Sequence, residues 1–367
     1  MNFSKNDTLL MKGFAIIFLY CYHCFSSYSR LSGVDVVFFP LSQKTGMFIS
    51  DSMNICVGMF AFLSVFGMTL TIKNKNLNLD LTIKEKIQFV AGRYIGLLGG
   101  FWIPFFFCQI VSAFMSYDEY GQGIVNHVCN FILDMFGLSS FFDTPMLTTT
   151  WWYLSLTVLF IVVLPFAIAL YKKYSILIIP LTIICLLLGV EEVDNMNRWL
   201  LVIPLGICFA DLKWFQKIYQ WIRLNKVTCW IKRVIIYFIF IVLIYLRPHP
   251  WGWAHIRLIV NSLIPVIMIL ILYDCFYKKR KINSIFEFLG RHSANMFYIH
   301  TFIREIWFNK LTYSFRYAGL ILIFLLIVTI CLSILIEYFK KLIRWNDKLR
   351  RMKEICSQKI GQLTERG

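Results

Sequence analysis

Charge is scarce in this chain, and negative charge most of all. Only 16% of its 367 residues are charged, and 20 acids stand against 37 Lys and Arg. Soluble domains carry about 25% charged residues, so an ordinary water-soluble enzyme is excluded. The 11 cysteines form no disulfide framework and no metal site. They are scattered through apolar runs (Cys108, Cys185, Cys208, Cys331), and the close pair Cys21 and Cys24 lies inside one such run, so they read as small membrane hydrophobes. Internal repeats, low-complexity tracts and a small-residue cleavage site after the first apolar run are also missing, which argues against a repeat-built transporter and against a signal peptide.

What is there is hydrocarbon. Apolar residues make up 59% of the chain, aromatics 17% and the mean hydropathy is +0.67. Ten stretches can cross about 30 Å as helices: 13–29, 50–72, 94–115, 147–170, 174–190, 198–212, 233–246, 256–277, 293–308 and 317–338. The expected fold is therefore an all-α integral membrane protein of about ten transmembrane helices. A half-apolar segment at 124–142 carries His127 and Asp134 and reads as re-entrant or interfacial.

The net charge of +17 lies in short clusters between apolar runs. That is the pattern of positive-inside loops and anionic-lipid contact, and it excludes nucleic acid as the partner. Of the 37 basic residues, 29 fall on one set of alternate segments, seven, Arg30 among them, on the other, and Arg304 within a span, so both termini are expected in the cytoplasm. Residues 1–340 read as one transmembrane domain and 341–367 as a basic cytoplasmic tail able to form a surface helix. Gly92, Gly96 and Gly100, four apart, suggest close helix packing.

Ionisable groups inside spans cost about 3 kcal/mol or more and usually face an internal cavity. The stretch "KGFAIIFLYCYHCF" (12–25) holds Lys12 and, eleven residues on, His23. Eleven helical steps make three turns plus about 20°, so the two share a face, roughly 16 Å apart along the axis. Lys12 alone fits a lysine snorkelling from a helix end. His23 alone fits a satisfied packing histidine as well as a catalytic one. His300, in "ANMFYIHTF", reads first as packing.

Four stretches in order resemble one family. "LLMKGFAIIFLYCYHCF" is similar to the opening motif of the acyltransferase 3 family of integral-membrane acyltransferases, an Arg or Lys followed by ten residues and a His. "VGMFAFLSVFGMTLT" (57–71), "TTWWYLSLTVLFIVVLP" (149–165) and "FLGRHSANMFYIHTFI" (288–303) resemble its second, Trp-Leu-Ser and late Tyr…His segments. The chain departs from that pattern in three places. Lys12 replaces the usual Arg, Ser64 is followed by Val65 rather than Gly, and of an Arg-x-x-Arg only Arg93 remains, with Val90 three residues before it.

The resemblance implies an enzyme moving an acyl group, expected to be acetyl, from cytosolic acyl-CoA to a hydroxyl of a cell-surface or lipid-linked carbohydrate. It implies His23, with Lys12 and His300, as the catalytic set. Lys12, Lys84, Lys86 and Arg93 would hold the phosphates of the donor, and Ser64, Trp151, Trp152 and Tyr298 would line the acceptor site. No permanently bound cofactor or metal is expected. Removing the proton of an attacking hydroxyl asks for a neutral imidazole, and an acid to orient His23 would come from Asp51, Asp143 or Glu305. The expected location is a bacterial cytoplasmic membrane. The alternative from another class is a transporter or flippase for a lipid-linked glycan, without group-transfer chemistry.

Overall fold

The computed structural model describes residues 3–31, 33–189, 194–247, 254–277 and 279–364. Val190 of the fifth expected span, Lys278 and the last three residues of the tail lie outside them. Among the described residues the fold is all helix, with fifteen α-helices. They are α1 (Lys5–Phe25), α2 (Gln43–Ser52), α3 (Ile55–Lys75), α4 (Ile83–Phe114), α5 (Ile124–Met135), α6 (Trp152–Tyr174), α7 (Ile178–Gly189), α8 (Val202–Asp211), α9 (Trp214–Arg223), α10 (Lys226–Leu246), α11 (Ala254–Phe276), α12 (Arg280–Thr301), α13 (Asn309–Ser314), α14 (Ala318–Leu342) and α15 (Trp345–Thr364).

Seven stretches are long and apolar enough to cross a membrane, or eight if the bent pair Asn197–Asp211 and Trp214–Arg223 counts as one span. The expectation of ten differs for two physical reasons. Thr149–Gly189 forms one apolar stretch of 41 residues, about 60 Å of helix and twice the hydrocarbon thickness. It covers the expected spans 147–170 and 174–190, with a break at Ser175, whose φ is 51°. The expected span 293–308 is present as helix but carries Asn295, His300 and Arg304. It faces protein, with Met296, Ile299, Phe302 and Ile303 almost fully buried, so lipid-type hydropathy does not mark it.

Two helix starts follow local chemistry. Before α1, the Ser4 hydroxyl accepts from the Asp7 N–H at 3.2 Å while the Asp7 carboxylate accepts from the Ser4 N–H at 2.7 Å. Thr82 and Glu85 make the same reciprocal cap before α4. Each cap satisfies N–H groups that the first helical turn leaves without partners.

The chain forms two compact units, Met1–Leu19 with Ser52–Asp80 and Val163–Arg291, and Tyr20–Asp51 with Leu81–Val162 and His292–Gly367. In the first unit small residues set the packing, as expected where lipid removes the hydrophobic drive between helices. A Cβ at Gly13 of α1 would strike the Phe286 carbonyl, and one at Gly290 of α12 would strike the Leu9 carbonyl, so the two backbones touch there. Gly58 and Gly206 likewise admit Trp199 and Val65. Two ion-pair clusters lie in this unit: half-buried Lys73 meets Asp211 at 2.6 Å, and buried Asp274 accepts from both Arg223 and Arg233.

In the second unit α15 runs antiparallel along α4. Trp345 Nε1 donates to the Gly99 carbonyl at 2.7 Å, and Gln88 Nε2 donates to the Ser357 carbonyl at 3.0 Å. Gly96 and Gly99 receive Lys353 and Leu349, whereas a Cβ at Gly92 or Gly100 would meet nothing within 4 Å. The close-packing role expected of Gly92 and Gly100 is thus corrected, and Gly99 takes it. The segment expected to be re-entrant or interfacial holds α5, twelve residues and about 18 Å, too short to span. Its Asp134 is buried, accepting from Tyr120 Oη at 2.8 Å and from the Leu147 N–H at 3.0 Å. Burial pushes this carboxyl up to about 7, against the pull of both hydrogen bonds. These bonds tie down the chain that leads into Trp151.

Candidate active site

The last turn of α1 delivers His23, and the last turn of α12 delivers His300. Within the second unit their rings meet edge to face, centroids 5.0 Å apart. Tyr20, nearly one turn before His23, stacks on His300 at 5.4 Å and donates from its hydroxyl to Thr329 Oγ1 at 2.8 Å. Residues far apart in sequence are thereby held as one constellation.

The tautomers follow from the partners. Phe297 O lies 2.6 Å from His300 Nδ1; a carbonyl only accepts, so Nδ1 carries the proton and Nε2 keeps its lone pair. Thr301 Oγ1, 3.3 Å from Nε2, can donate to that lone pair. Thr301 is linked in turn to Thr150 Oγ1 at 3.1 Å. His300 has 0% exposure, and its ring contacts that of the half-buried His23.

His23 is half-buried, and its Nδ1 lies 3.0 Å from Arg30 Nη1. A guanidinium only donates. The imidazole is therefore neutral, with its lone pair on Nδ1 and its proton on Nε2. Local sequence explains the contact. The short turn Tyr28–Leu31 folds the chain back over the end of α1, and Arg30 stands over the Tyr22 ring at 4.5 Å. A cation suits the free carbonyls and negative pole of a helix C-terminus.

A second guanidinium is near. Past His300 the helix widens into a π-helical turn, Phe302–Trp307, of the kind that often re-aims side chains at functional sites. That turn buries Arg304, 4% exposed, within electrostatic reach of His23. Arg304 pairs with Glu305, while its Nε has no hydrogen-bond partner among the described residues. Tyr313, whose hydroxyl donates to the Cys24 carbonyl at 3.1 Å, closes this side. A buried donor without a partner suits a reaction that develops negative charge beside it.

The expected orienting acid is not at His23. Among the described residues no carboxylate lies within ion-pair distance of it; Asp51 and Asp143 are exposed, and Glu305 is engaged with Arg304. The group at the imidazole is Arg30, in sequence only one of the seven basic residues outside the majority set. Arg304 was visible as an arginine inside a span, but nothing in the sequence shows that it turns toward His23.

The remaining candidates divide. Trp151 and Tyr298 belong to the same unit as His23, and Trp151 Nε1 donates to the Tyr298 carbonyl at 3.1 Å. Both are buried against Phe101, so they shape the site as packing, while Trp152 is half-buried at the start of α6. Ser64 lies in the first unit and donates to the Phe60 carbonyl of its own helix at 2.8 Å. Lys12 also lies in the first unit, half-buried, with no hydrogen-bond or ion-pair partner among the described residues. Lys84, Lys86 and Arg93 line the first turns of α4 in the second unit, Arg93 over the Phe89 ring at 5.6 Å. No group of three or more metal-ligating side chains occurs among the described residues.

The model of an acyltransferase domain, that of the acyltransferase 3 family, matches residues 9–338. No curated protein and no solved structure matches the chain.

Proposed function

The chain belongs to the acyltransferase 3 family, a multi-pass membrane acyltransferase, and from that membership we propose that it moves an acyl group from cytosolic acyl-CoA to a hydroxyl of a cell-surface or lipid-linked carbohydrate. Acetyl is the proposed group and a bacterial cytoplasmic membrane the proposed location. The 29 basic residues on one set of segments, against seven on the other, support cytoplasmic termini.

One observation carries the mechanism: a neutral, half-buried imidazole whose Nδ1 lone pair is held by a guanidinium 3.0 Å away. In the proposed reaction the acceptor hydroxyl takes the place of Arg30 at Nδ1. Its oxygen attacks the thioester carbonyl carbon as its proton passes to His23. The carbonyl oxygen gains negative charge beside the displaced Arg30. When the tetrahedral intermediate collapses, the carbon–sulfur bond breaks and the leaving thiolate takes the proton back from His23. The products are an ester and free CoA thiol, and His23 returns neutral. His300 sets the ring plane of His23, and the two arginines supply fixed positive charge in a water-poor site, where it counts for more than in bulk solvent. The basic groups Lys84, Lys86 and Arg93 of α4, and separately Lys12 of α1, are proposed to attract the anionic donor by their positive charge.

Mass spectrometry of surface glycans tests the reading. Cells that lack the protein should lose a fixed acyl mass increment, about 42 Da for acetyl, from one glycan. Glycans unchanged in acylation but reduced in amount at the surface would instead indicate transport.

A further inference from the structure

At the far end of the matched residues and partly beyond them, the second unit holds a cavity of about 410 Å³ between α4, α14 and α15. Its lining includes Gly96 and Gly100 of α4, Glu337 and Lys340 of α14, and Arg350 and Lys353 of α15. Three basic side chains against one carboxylate leave a surplus of two positive charges.

The details suit a phosphate-bearing ligand. The Lys340 ammonium, with a side chain only 8% exposed, is fixed by Glu337 at 2.8 Å and by Asn295 Oδ1 at 3.2 Å. Glu337 also accepts from Asn295 Nδ2 at 2.9 Å, so the one carboxylate of the lining is already engaged by Lys340 and Asn295. Lys353 lays its ammonium across α4, 2.8 Å from where a Cβ on Gly96 would stand. Arg350 meets Asp347 at 3.3 Å and Glu354 at 3.9 Å with its side chain 69% exposed, which leaves donors open to a ligand. The absence of a side chain at Gly100 keeps the floor open, since a Cβ there would meet nothing within 4 Å.

The cavity is also connected to the histidines. Asn295, which holds Lys340, precedes His300 by five residues on α12, about 7.5 Å of rise. His300 is in ring contact with His23 at 5.0 Å. A phosphate beside Lys340 would lie roughly 15 Å from His23 by this route, comparable to the reach of a pantetheine arm.

We propose that this α4–α14–α15 cavity holds the phosphate groups of the acyl donor, with Lys340, Arg350 and Lys353 as their binding residues. The assignment rests on the acyl-CoA reading of the function. Residues 345–353 of α15 then form part of the donor site, although they lie outside the matched family domain.

The test uses the full chain in phosphatidylcholine nanodiscs titrated with coenzyme A. Two variants probe the cavity by different means. Arg350→Ala with Lys353→Ala removes charge from exposed and half-exposed positions, and Gly100→Leu fills the space while leaving every charge in place and improving helix propensity. Each charge-assisted contact contributes about 1.5–3 kcal/mol, so Kd for coenzyme A should rise about tenfold or more in both variants. An unchanged Kd in both overturns the proposal. So does wild-type protein that ignores coenzyme A yet binds phosphatidylglycerol through these residues, because the cavity would then serve a lipid headgroup. Acyl transfer assayed in parallel separates this proposal from the one it rests on. Transfer with unchanged donor KM in both variants removes the cavity and leaves the acyltransferase reading standing. Weakened coenzyme A binding supports the cavity even if no carbohydrate is acylated.

Discussion

His23→Gln should lower kcat by about 10²–10⁴-fold, the usual contribution of a general base, with expression and membrane insertion unchanged. The substitution is chosen for what it keeps. A Gln side-chain carbonyl can accept the Arg30 N–H that Nδ1 accepts at 3.0 Å, so the turn Tyr28–Leu31 retains its anchor. What is lost is a lone pair basic enough to take a hydroxyl proton near neutral pH. The affinity for the donor should change little, because the proposed phosphate groups are held elsewhere. Transfer within a few-fold of wild type would make His23 a packing residue. The buried His300, with Nδ1 committed to the Phe297 carbonyl and Nε2 its remaining basic nitrogen, would then be the group to examine.

Arg30→Ala is expected to cost about 10²–10³-fold in kcat, the range seen when one donor to a developing oxyanion is removed. In the resting site Arg30 both fixes the tautomer of His23 and keeps a guanidinium beside the nitrogen where the hydroxyl must enter. Its loss frees Nδ1, which taken alone would help a base. A fall in kcat therefore reports the charge. Arg30 also steadies the end of α1 over Tyr22, so thermal stability must be measured beside the rates; a helix-terminus cation contributes only about 0.3–1 kcal/mol. Arg30→Lys keeps the charge but loses the planar fork and should recover part of the activity. If kcat held within a few-fold in both variants, Arg30 would be a helix cap and nothing more.

The membrane class was legible because composition alone requires it; the first span was expected at 13–29, whereas the Ser4–Asp7 cap starts α1 at Lys5. His23 was legible as a polar group in a span, and the motif around it pointed to the family that matches residues 9–338. The partners were not. Arg30 reads as one more loop charge until the turn after α1 brings it back onto the imidazole, a tertiary consequence of four residues with no strong pattern. His300 and Arg304 were visible as polar groups in the expected span 293–308, but not as partners of His23; α12 and the turn after it are buried by protein and so tolerate polar residues that lipid would exclude. The structure marks seven or eight apolar stretches rather than ten, because the one at Thr149–Gly189 is 41 residues long, enough for two crossings on either side of the break at Ser175, and because 293–308 is not marked by hydropathy. The α15 segment reads as a solvated basic tail because its charges dominate its composition. Leu349 and Trp345, which dock it on Gly99, are too few to show as a stripe.

The central claim is that the protein breaks a thioester and forms an ester with His23 carrying the proton. The most direct measurement uses purified protein in liposomes, acetyl-CoA labelled in the acetyl group and glycolipid extracted from the host membrane. Free CoA thiol and label on carbohydrate are followed together. The account predicts that one thiol appears for each acetyl group transferred and that both signals fall together in His23→Gln. Glycolipid crossing the bilayer with no thiol released, or label transferred at an undiminished rate by His23→Gln, would contradict it.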